Sequence, residues 1–81
     1  MNWKEENNAL RYTFTFGDFI TAWAFMTEVA IVSEKMNHHP TWSNTYNKVH
    51  ISLSTHDAGN VVTDKDHKLA SKIRALYSKY T

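Results

Sequence analysis

The sequence predicts an α+β fold: a two-layer ββαββα domain, with a four-stranded antiparallel sheet and both helices packed on one face of that sheet. Three observations lead to this prediction. Some segments alternate polar and apolar residues, as half-buried strands do. Two other segments repeat apolar residues every three to four positions, as amphipathic helices do. A helix follows each pair of strands, so consecutive strands are expected to pair as hairpins. At 81 residues, the chain is the size of one small domain, residues 1–81.

The first strand pair is predicted in residues 2–16. Residues 9–16, ALRYTFTF, alternate strictly, which indicates a strand with one buried and one wet face. The residues expected to point to the core are Leu10, Tyr12, Phe14 and Phe16. Residues 2–6 are predicted as a shorter strand that is anchored by Trp3 and turns at Asn7-Asn8.

The first helix is predicted to begin after Asp18, whose carboxylate can accept hydrogen bonds from the free N–H groups of the first turn. The helix is expected to end near Asn37, because Pro40 disfavours α geometry at His39. The 3–4 spacing of apolar residues predicts a stripe that faces the core, formed by Phe19, Ala22, Trp23, Met26, Val29 and Ala30.

Residues 42–54 are predicted as a second hairpin that turns near Asn47-Lys48. Its second strand has one apolar side, formed by Val49, Ile51 and Leu53, and one polar side, formed by His50, Ser52 and Ser54. The last helix is predicted to begin at a capping box made by Thr63 and Asp66. Its core-facing residues are expected to be Leu69, Ala70, Ile73, Leu76 and Tyr77.

Composition and charge narrow the classes of protein. Nine basic residues against eight acidic ones give a net charge of +1. The chain lacks the strong basic stripe that is typical of nucleic-acid-binding modules. Because the chain has no cysteine, disulfides and thiolate metal sites are excluded. Residues 1–16 do not resemble a signal peptide, and no apolar run is long enough to cross a membrane. We therefore expect a cytoplasmic protein without a membrane partner.

Three histidines lie where strands and helices end. His38 and His39 are adjacent at the end of the first helix, and His56 lies at or just past a strand end. Imidazole titrates near neutral pH, so such a group indicates proton transfer. A solvated helix end that carries histidines is about equally compatible with the spacing of His38 and His39. A zinc site is a weaker alternative, because the side chains of consecutive residues diverge. His50 and His67 are interpreted as ordinary surface residues.

Two further residues have open interpretations. Glu34 lies one helical turn before His38 and is either a partner of the histidines or a solvated helix residue. Trp42 is either a hairpin aromatic or the wall of a pocket for a flat ligand.

Residues 34–59, EKMNHHPTWSNTYNKVHISLSTHDAG, closely resemble the pterin-4a-carbinolamine dehydratases. The pattern of that family is an acidic residue four positions before His-His-Pro or His-Asn-Pro, then an aromatic residue, a Thr-His-acidic strand exit, and an Asp at the last helix. The matching residues here are Glu34, His38-His39-Pro40, Trp42 and Tyr46, Thr55-His56-Asp57, and Asp66. The resemblance extends from about Trp3 to Tyr77.

The resemblance implies the same ββαββα fold and a hydro-lyase, 4a-hydroxytetrahydrobiopterin dehydratase. Such an enzyme removes water from 4a-hydroxytetrahydropterin to give quinonoid dihydropterin, a step of tetrahydrobiopterin recycling that needs no metal and no cofactor. It implies that His38, His39 and His56 are the general acid/base set, with His38 and His56 as acids and His39 as the base. The expected substrate-binding residues are Glu34, Asn37, Trp42, Ser54, Thr55 and Asp57. Relatives often have Asp at the position of Asn37.

The resemblance also implies alternatives. Some family members act as dimerisation cofactors of a transcription factor. The first alternative is therefore a protein-binding role, with the last helix and a sheet edge as the binding surface. The second alternative is an enzyme that acts on another pterin. In each case we expect a homo-oligomer, a dimer or tetramer joined through sheet or helix surfaces, that does not bind nucleic acid directly.

Overall fold

The computed structural model describes residues 2–80 of the chain. Its strands are β1 (Lys4–Glu6), β2 (Ala9–Thr15), β3 (Thr41–Thr45) and β4 (Lys48–Leu53), and its helices are α1 (Phe19–Met36) and α2 (Asp64–Tyr77). The strands form one antiparallel sheet in the order β1-β2-β4-β3. Both helices contribute to one hydrophobic core with the apolar side of this sheet. The predicted α+β fold is therefore confirmed.

The strand β1 is short, and aromatic contacts hold its beginning in place. The turn to β2 places Asn7 and Asn8 at φ 52° and 60°, the left-handed geometry that suits a tight hairpin. The indole of Trp3 packs edge-on against Phe14 with 5.6 Å between ring centroids, and its Nε1 donates to the carbonyl of Ala70 at 3.2 Å. Trp3 therefore anchors β1, as predicted.

The turn between β3 and β4 lies at Tyr46-Asn47, one residue before the predicted position. The reason is an anchor outside the hairpin. The backbone N–H of Phe16 donates to the carbonyl of Asn47 at 2.9 Å, and the side-chain amide of Asn47 donates back to Phe16 at 2.8 Å. This pair fixes Asn47 against the end of β2, and Tyr46 adopts a left-handed φ of 49°.

Both ends of α1 are capped as the sequence indicates. Asp18 Oδ1 accepts from the backbone N–H of Thr21 at 2.9 Å, which satisfies one of the free donors at the start of the helix. Asn37 ends the helix in the left-handed conformation, with φ 51° and ψ 42°. The hydrogen bonds of Asn37 and His38 to the carbonyls of Glu34 and Ser33 complete a Schellman motif.

The predicted buried face of α1 is partly wrong. Phe19 and Trp23 are 44% and 51% exposed, and Ala30 is also exposed. Phe25, which the predicted stripe omits, is fully buried. The residues that α1 buries are Ala22, Phe25, Val29 and Ser33. Apolar residues surround most of this helix, so periodicity alone could not select the side that faces the sheet.

The helix α2 follows its predicted pattern. Leu69, Ala70 and Ile73 are buried, and Leu76 and Tyr77 pack against the core from a half-buried position. Within residues 2–80, neither helix combines the length and the apolar composition needed to span a bilayer.

The corrected face of α1 makes a testable distinction between two phenylalanines of one helix. We expect Phe25→Ala to lower the free energy of unfolding by about 3–5 kcal/mol, because it leaves a cavity in the core. The control Phe19→Ala should cost only about 1 kcal/mol, since roughly half of the Phe19 ring already contacts water. Urea unfolding of both variants at one protein concentration measures the difference. Equal losses would contradict the assignment.

Candidate active site

A buried carboxylate, that of Asp66, connects the segments that carry the histidines. Asp66 has no exposed surface. His38 Nε2–H donates to its Oδ1 at 2.6 Å, and the hydroxyl of Thr55 donates to its Oδ2 at 2.7 Å. The backbone N–H of Thr63 also donates to Oδ2, at 2.9 Å, as part of the predicted capping box. One carboxylate therefore joins the end of α1, the residues after β4 and the start of α2.

These hydrogen bonds determine the charge state of Asp66. Burial acts to raise the pKa of its carboxyl group, because a charged group is poorly solvated inside a protein. The hydrogen bonds from His38, Thr63 and Thr55, together with the charge of His38, outweigh burial and hold the pKa below its usual value. Asp66 is therefore an ionised carboxylate at neutral pH.

The end of α1 directs the two adjacent histidines to different surroundings. Because Asn37 is left-handed, the chain reverses there, and His38 turns inward to Asp66 while His39 stays exposed. His39 Nε2–H donates to Glu34 Oε1 at 2.9 Å, and both side chains of this pair are largely exposed. Glu34 thus contacts His39 and not His38, its neighbour one helical turn away.

His56 is presented by a loop that is closed by its own hydrogen bonds. Thr55 pairs with Val61 as an isolated bridge, with Thr55 N–H donating to the Val61 carbonyl at 2.9 Å. Inside the loop, His56–Ala58 form a 3₁₀ turn that ends at the left-handed Gly59, with φ 91°. The exposed ring of His56 donates from Nδ1–H to Asn60 Oδ1 at 3.1 Å.

Each of the three histidines keeps one ring nitrogen for a ligand. The protein occupies Nε2 of His38 and His39 and Nδ1 of His56. The nitrogens without a protein partner are Nδ1 of His38, Nδ1 of His39 and Nε2 of His56. In a neutral imidazole, one nitrogen carries the proton and donates, and the other nitrogen can accept a proton. Such an arrangement can donate and accept protons at more than one position of a bound ligand.

The other predicted binding residues occupy varied positions. Trp42 and Ser54 are half-buried, on β3 and just after β4, while Asn37 and Asp57 are exposed. Thr55 is buried, and its hydroxyl is occupied by Asp66 and by Thr63 Oγ1 at 2.5 Å. A side-chain hydrogen bond joins Glu34 to His39, and the carboxylate of Asp66 links Thr55 to His38.

The competing zinc interpretation lacks a donor set. Within residues 2–80, no three His, Asp or Glu side chains converge in a way that could hold a metal ion. The divergence of His38 and His39 is one cause, since one ring is buried against Asp66 and the other is exposed beside Glu34.

Two residues of the site were missing from the predicted set. Asp66 was interpreted as a helix cap and a motif residue, and Asn60 was given no role. A signal for Asp66 was present in the sequence, because it precedes Leu69, Ala70 and Ile73 by three, four and seven positions. It therefore shares their buried stripe. No comparable signal identified Asn60 as the partner of His56.

The fold and the site together define a class: a small α+β domain that presents histidines, one of them held by a buried carboxylate, where helix α1 and strand β4 end. The family model described as pterin 4 alpha carbinolamine dehydratase matches residues 1–76. The chain therefore belongs to the pterin-4a-carbinolamine dehydratase family, as the motif resemblance indicated.

Individual relatives agree with this assignment. A Prochlorococcus marinus (strain MIT 9515) protein, named as a candidate pterin-4-alpha-carbinolamine dehydratase, is 51% identical over 77 residues, which cover 95% of this chain and 79% of that protein. The crystal structure of a Brucella melitensis "transcriptional coactivator/pterin dehydratase" superposes with a TM-score of 0.88 at 42% identity, covering 93% of this chain and 81% of the other. A pterin dehydratase-like protein described as a RuBisCO assembly factor in the alpha-carboxysome has a TM-score of 0.81 at 25% identity, covering 95% and 90%.

The Asp66 carboxylate should control stability in acid. Its lowered pKa means that the carboxylate stabilises the fold above the pKa of the unfolded chain, about 3.9. This contribution is lost as the pH falls through the lower folded pKa. Asp66→Asn should reduce the free energy of unfolding near neutral pH by about 3–5 kcal/mol, because it breaks a buried charged pair.

The exposed Asp64, two residues earlier in α2, provides the matched control. Asp64→Asn should change stability by less than about 1 kcal/mol. Chemical unfolding of the three proteins between pH 3 and pH 7 measures both effects. If Asp66→Asn is as stable as Asp64→Asn at pH 7, the carboxylate of Asp66 does not stabilise the fold.

Proposed function

We propose that the protein dehydrates 4a-hydroxytetrahydropterin to quinonoid dihydropterin by histidine general acid/base catalysis, in tetrahydrobiopterin recycling. The observation that carries this proposal is the set of three histidines, each with one nitrogen bonded to the protein and the other left for a ligand. Family membership supports it by supplying the reaction class. The cytoplasmic location expected from the sequence remains a prediction.

The reaction needs two proton transfers. An acid protonates the 4a-hydroxyl as the carbon–oxygen bond breaks, and a base removes a proton from a ring N–H, so that water and quinonoid dihydropterin are formed. We propose that doubly protonated His56 donates through Nε2 and that neutral His39 accepts through Nδ1, since both rings are exposed. His38, oriented by Asp66, is proposed as a second donor through Nδ1 when its ring is doubly protonated.

The remaining predicted residues are proposed to bind and orient the pterin. Glu34 orients His39 through its 2.9 Å hydrogen bond. Trp42 offers an aromatic surface for a flat ring, while Ser54 and Asp57 offer polar groups near His56. Asn37 is proposed to contact the ligand through groups other than its backbone N–H, which forms the helix cap. Thr55 is proposed to support the binding site through Asp66, because its hydroxyl and its backbone groups are already hydrogen-bonded within the protein.

A protein-binding role is the second candidate function. The names of the two structural neighbours include a coactivator and an assembly factor. In this chain the strands β1 and β3 are edge strands, and edge strands can pair with another chain. An enzyme for a different pterin is the third possibility, and it predicts the same site with another substrate preference.

The assay follows dehydration of 4a-hydroxytetrahydropterin above its spontaneous rate. His39→Ala and His56→Ala should each lower kcat by about 100-fold or more, because each removes a proton-transfer group. His67→Ala provides the control, since the exposed side chain of His67 lies beside Trp3 and Leu10 and has no hydrogen bond to the three histidines. A chelator should leave the rate unchanged. If the wild type gives no acceleration, the enzyme proposal fails and the protein-binding role is favoured.

We also propose that the chain forms a homo-oligomer through the exposed side of α1. Among the described residues, four of the six exposed large hydrophobic side chains lie on this helix: Phe19, Ile20, Trp23 and Ile31. Ile20, Trp23, Thr27 and Ile31 are three to four positions apart, so they lie along one side of the helix. Two copies crossing antiparallel near Thr27 would bring Trp23 of each against Ile31 of the other, which is the self-complementary contact of a two-fold dimer.

Trp23→Glu should shift the protein to the monomer, because it places a charge in this apolar contact. Tyr46→Glu is the control, since Tyr46 is 62% exposed but lies in the β3–β4 turn. Light scattering after size exclusion at micromolar concentration measures the mass. A monomeric wild type, or an unchanged mass for Trp23→Glu, would contradict the proposal.

A further inference from the structure

The face of the sheet opposite the helices carries a groove that the proposed chemistry does not use. Its volume is about 670 Å³, and all four strands contribute to its lining. Its charged and polar lining includes Lys4, Glu6, Arg11, Thr41, His50 and Ser52. We call this feature the open-face groove.

The open-face groove places two cations side by side. Lys4 and Arg11 are directly opposite each other in the β1–β2 register. Like charges at such positions destabilise a sheet. Lys4 is partly neutralised by Glu6, whose carboxylate lies 3.4 Å from the ammonium group. Within residues 2–80, Arg11 has neither an ion pair nor a side-chain hydrogen bond, so its positive charge remains available to an anion.

Hydroxyl and imidazole groups continue the polar lining beyond Arg11. Ser52 is opposite Arg11 in the β2–β4 register, and Thr41 is opposite Ser52 in the β3–β4 register. His50 lies two residues before Ser52, on the same face of β4. Its Nδ1 is hydrogen-bonded to Thr13 Oγ1 at 2.9 Å, which leaves Nε2 without a protein partner. A guanidinium fork beside hydroxyl donors suits a phosphate group, which Arg binds through two parallel hydrogen bonds.

The open-face groove adjoins the candidate active site at one end. Thr41 directly follows Pro40 and the histidine pair, and Trp42 lines the groove. Ser52 precedes Ser54 by two positions, so the two serines are about 7 Å apart along the strand direction. A pterin ring held by the histidines would therefore lie next to the Thr41 end of the groove, and Arg11 is two strands away from Thr41 across the sheet.

We propose that the open-face groove binds a phosphate group at the end of the pterin's side chain, with Arg11 as the main anchor and Lys4 and Ser52 as supporting contacts. This inference rests on the proposed function, because it takes the pterin ring to lie at the histidines. It assigns a class of substrate, pterins whose side chain ends in phosphate. The inference therefore corresponds to dehydration of a different pterin, the third possibility above, because the side chain of tetrahydrobiopterin is neutral.

The test measures binding, so that it does not depend on turnover. Two fully oxidised pterins with a three-carbon side chain, one ending in a hydroxyl and one in a phosphate, are titrated against the protein, and pterin fluorescence reports the Kd. For the wild type, the phosphate form should bind about tenfold more tightly, the effect of one charge-assisted contact. In Arg11→Gln, the two Kd values should become equal.

Lys48→Gln is the matched control. Lys48 lies on the same side of β4 as Ser52 but four residues away, about 13 Å along the strand. This variant removes one positive charge from the same face and should keep the tenfold preference. Equal Kd values in the wild type, a preference that survives Arg11→Gln, or one that Lys48→Gln also abolishes would each overturn the proposal.

Two further measurements separate the possible sources of the result. Inorganic phosphate alone is titrated against the protein while backbone amide shifts of Arg11 and Ser52 are followed. It should bind more weakly than the phosphorylated pterin, and equal affinity would overturn the proposal in favour of a free-phosphate site.

If the preference for phosphate is observed but no dehydration occurs, the proposed function fails and the groove assignment stands. If dehydration occurs without the preference, only the groove assignment fails.

Discussion

The hydrogen-bonded carboxylate of Asp66 is the interaction on which the arrangement of this protein depends. A charged group without solvent contact is costly unless its oxygens are satisfied, and here both oxygens accept hydrogen bonds. The donors come from the end of α1, the residues after β4 and the start of α2. None of these segments can move away without leaving a buried charge unsatisfied. Asp66 therefore converts three chain segments that are distant in sequence into one rigid end of the molecule.

The same carboxylate makes the histidines unequal. It occupies Nε2 of His38 and removes that ring from most contact with water, whereas Glu34 and Asn60 hold His39 and His56 at exposed positions. Exposed hydrogen bonds of this kind contribute little stability, because water competes for both partners. They do determine which nitrogen of each ring is bonded to the protein and which is left for a ligand. The fold thus separates one imidazole that is strongly oriented from two that are accessible, although all three lie in a single sequence motif.

The sequence predicted the features that depend on neighbouring residues. Strand alternation, the Asp18 cap, the Asn7-Asn8 turn and the Thr63–Asp66 capping box are all determined within a few positions, and each was confirmed. The buried face of α1 was partly wrong, because apolar residues occur on both sides of that helix and only packing against the sheet selects one. The partnership of His38 with Asp66 spans 28 residues, and its geometry follows from the whole fold. The acidic residue within an apolar helical stripe was a usable signal for it.

Backbone conformation explains why the histidines are located at this end of the sheet. The left-handed residue Asn37 reverses the chain immediately before the histidine pair, so that one ring turns inward and the next outward. After β4, the left-handed Gly59 and Asn60 close a loop across the Thr55–Val61 bridge and present His56. Regular helices and strands would place consecutive side chains at fixed angles and could not aim these three rings independently. The site therefore occurs where regular structure ends, and Asp66 supplies the rigidity that the ends of helices and strands otherwise lack.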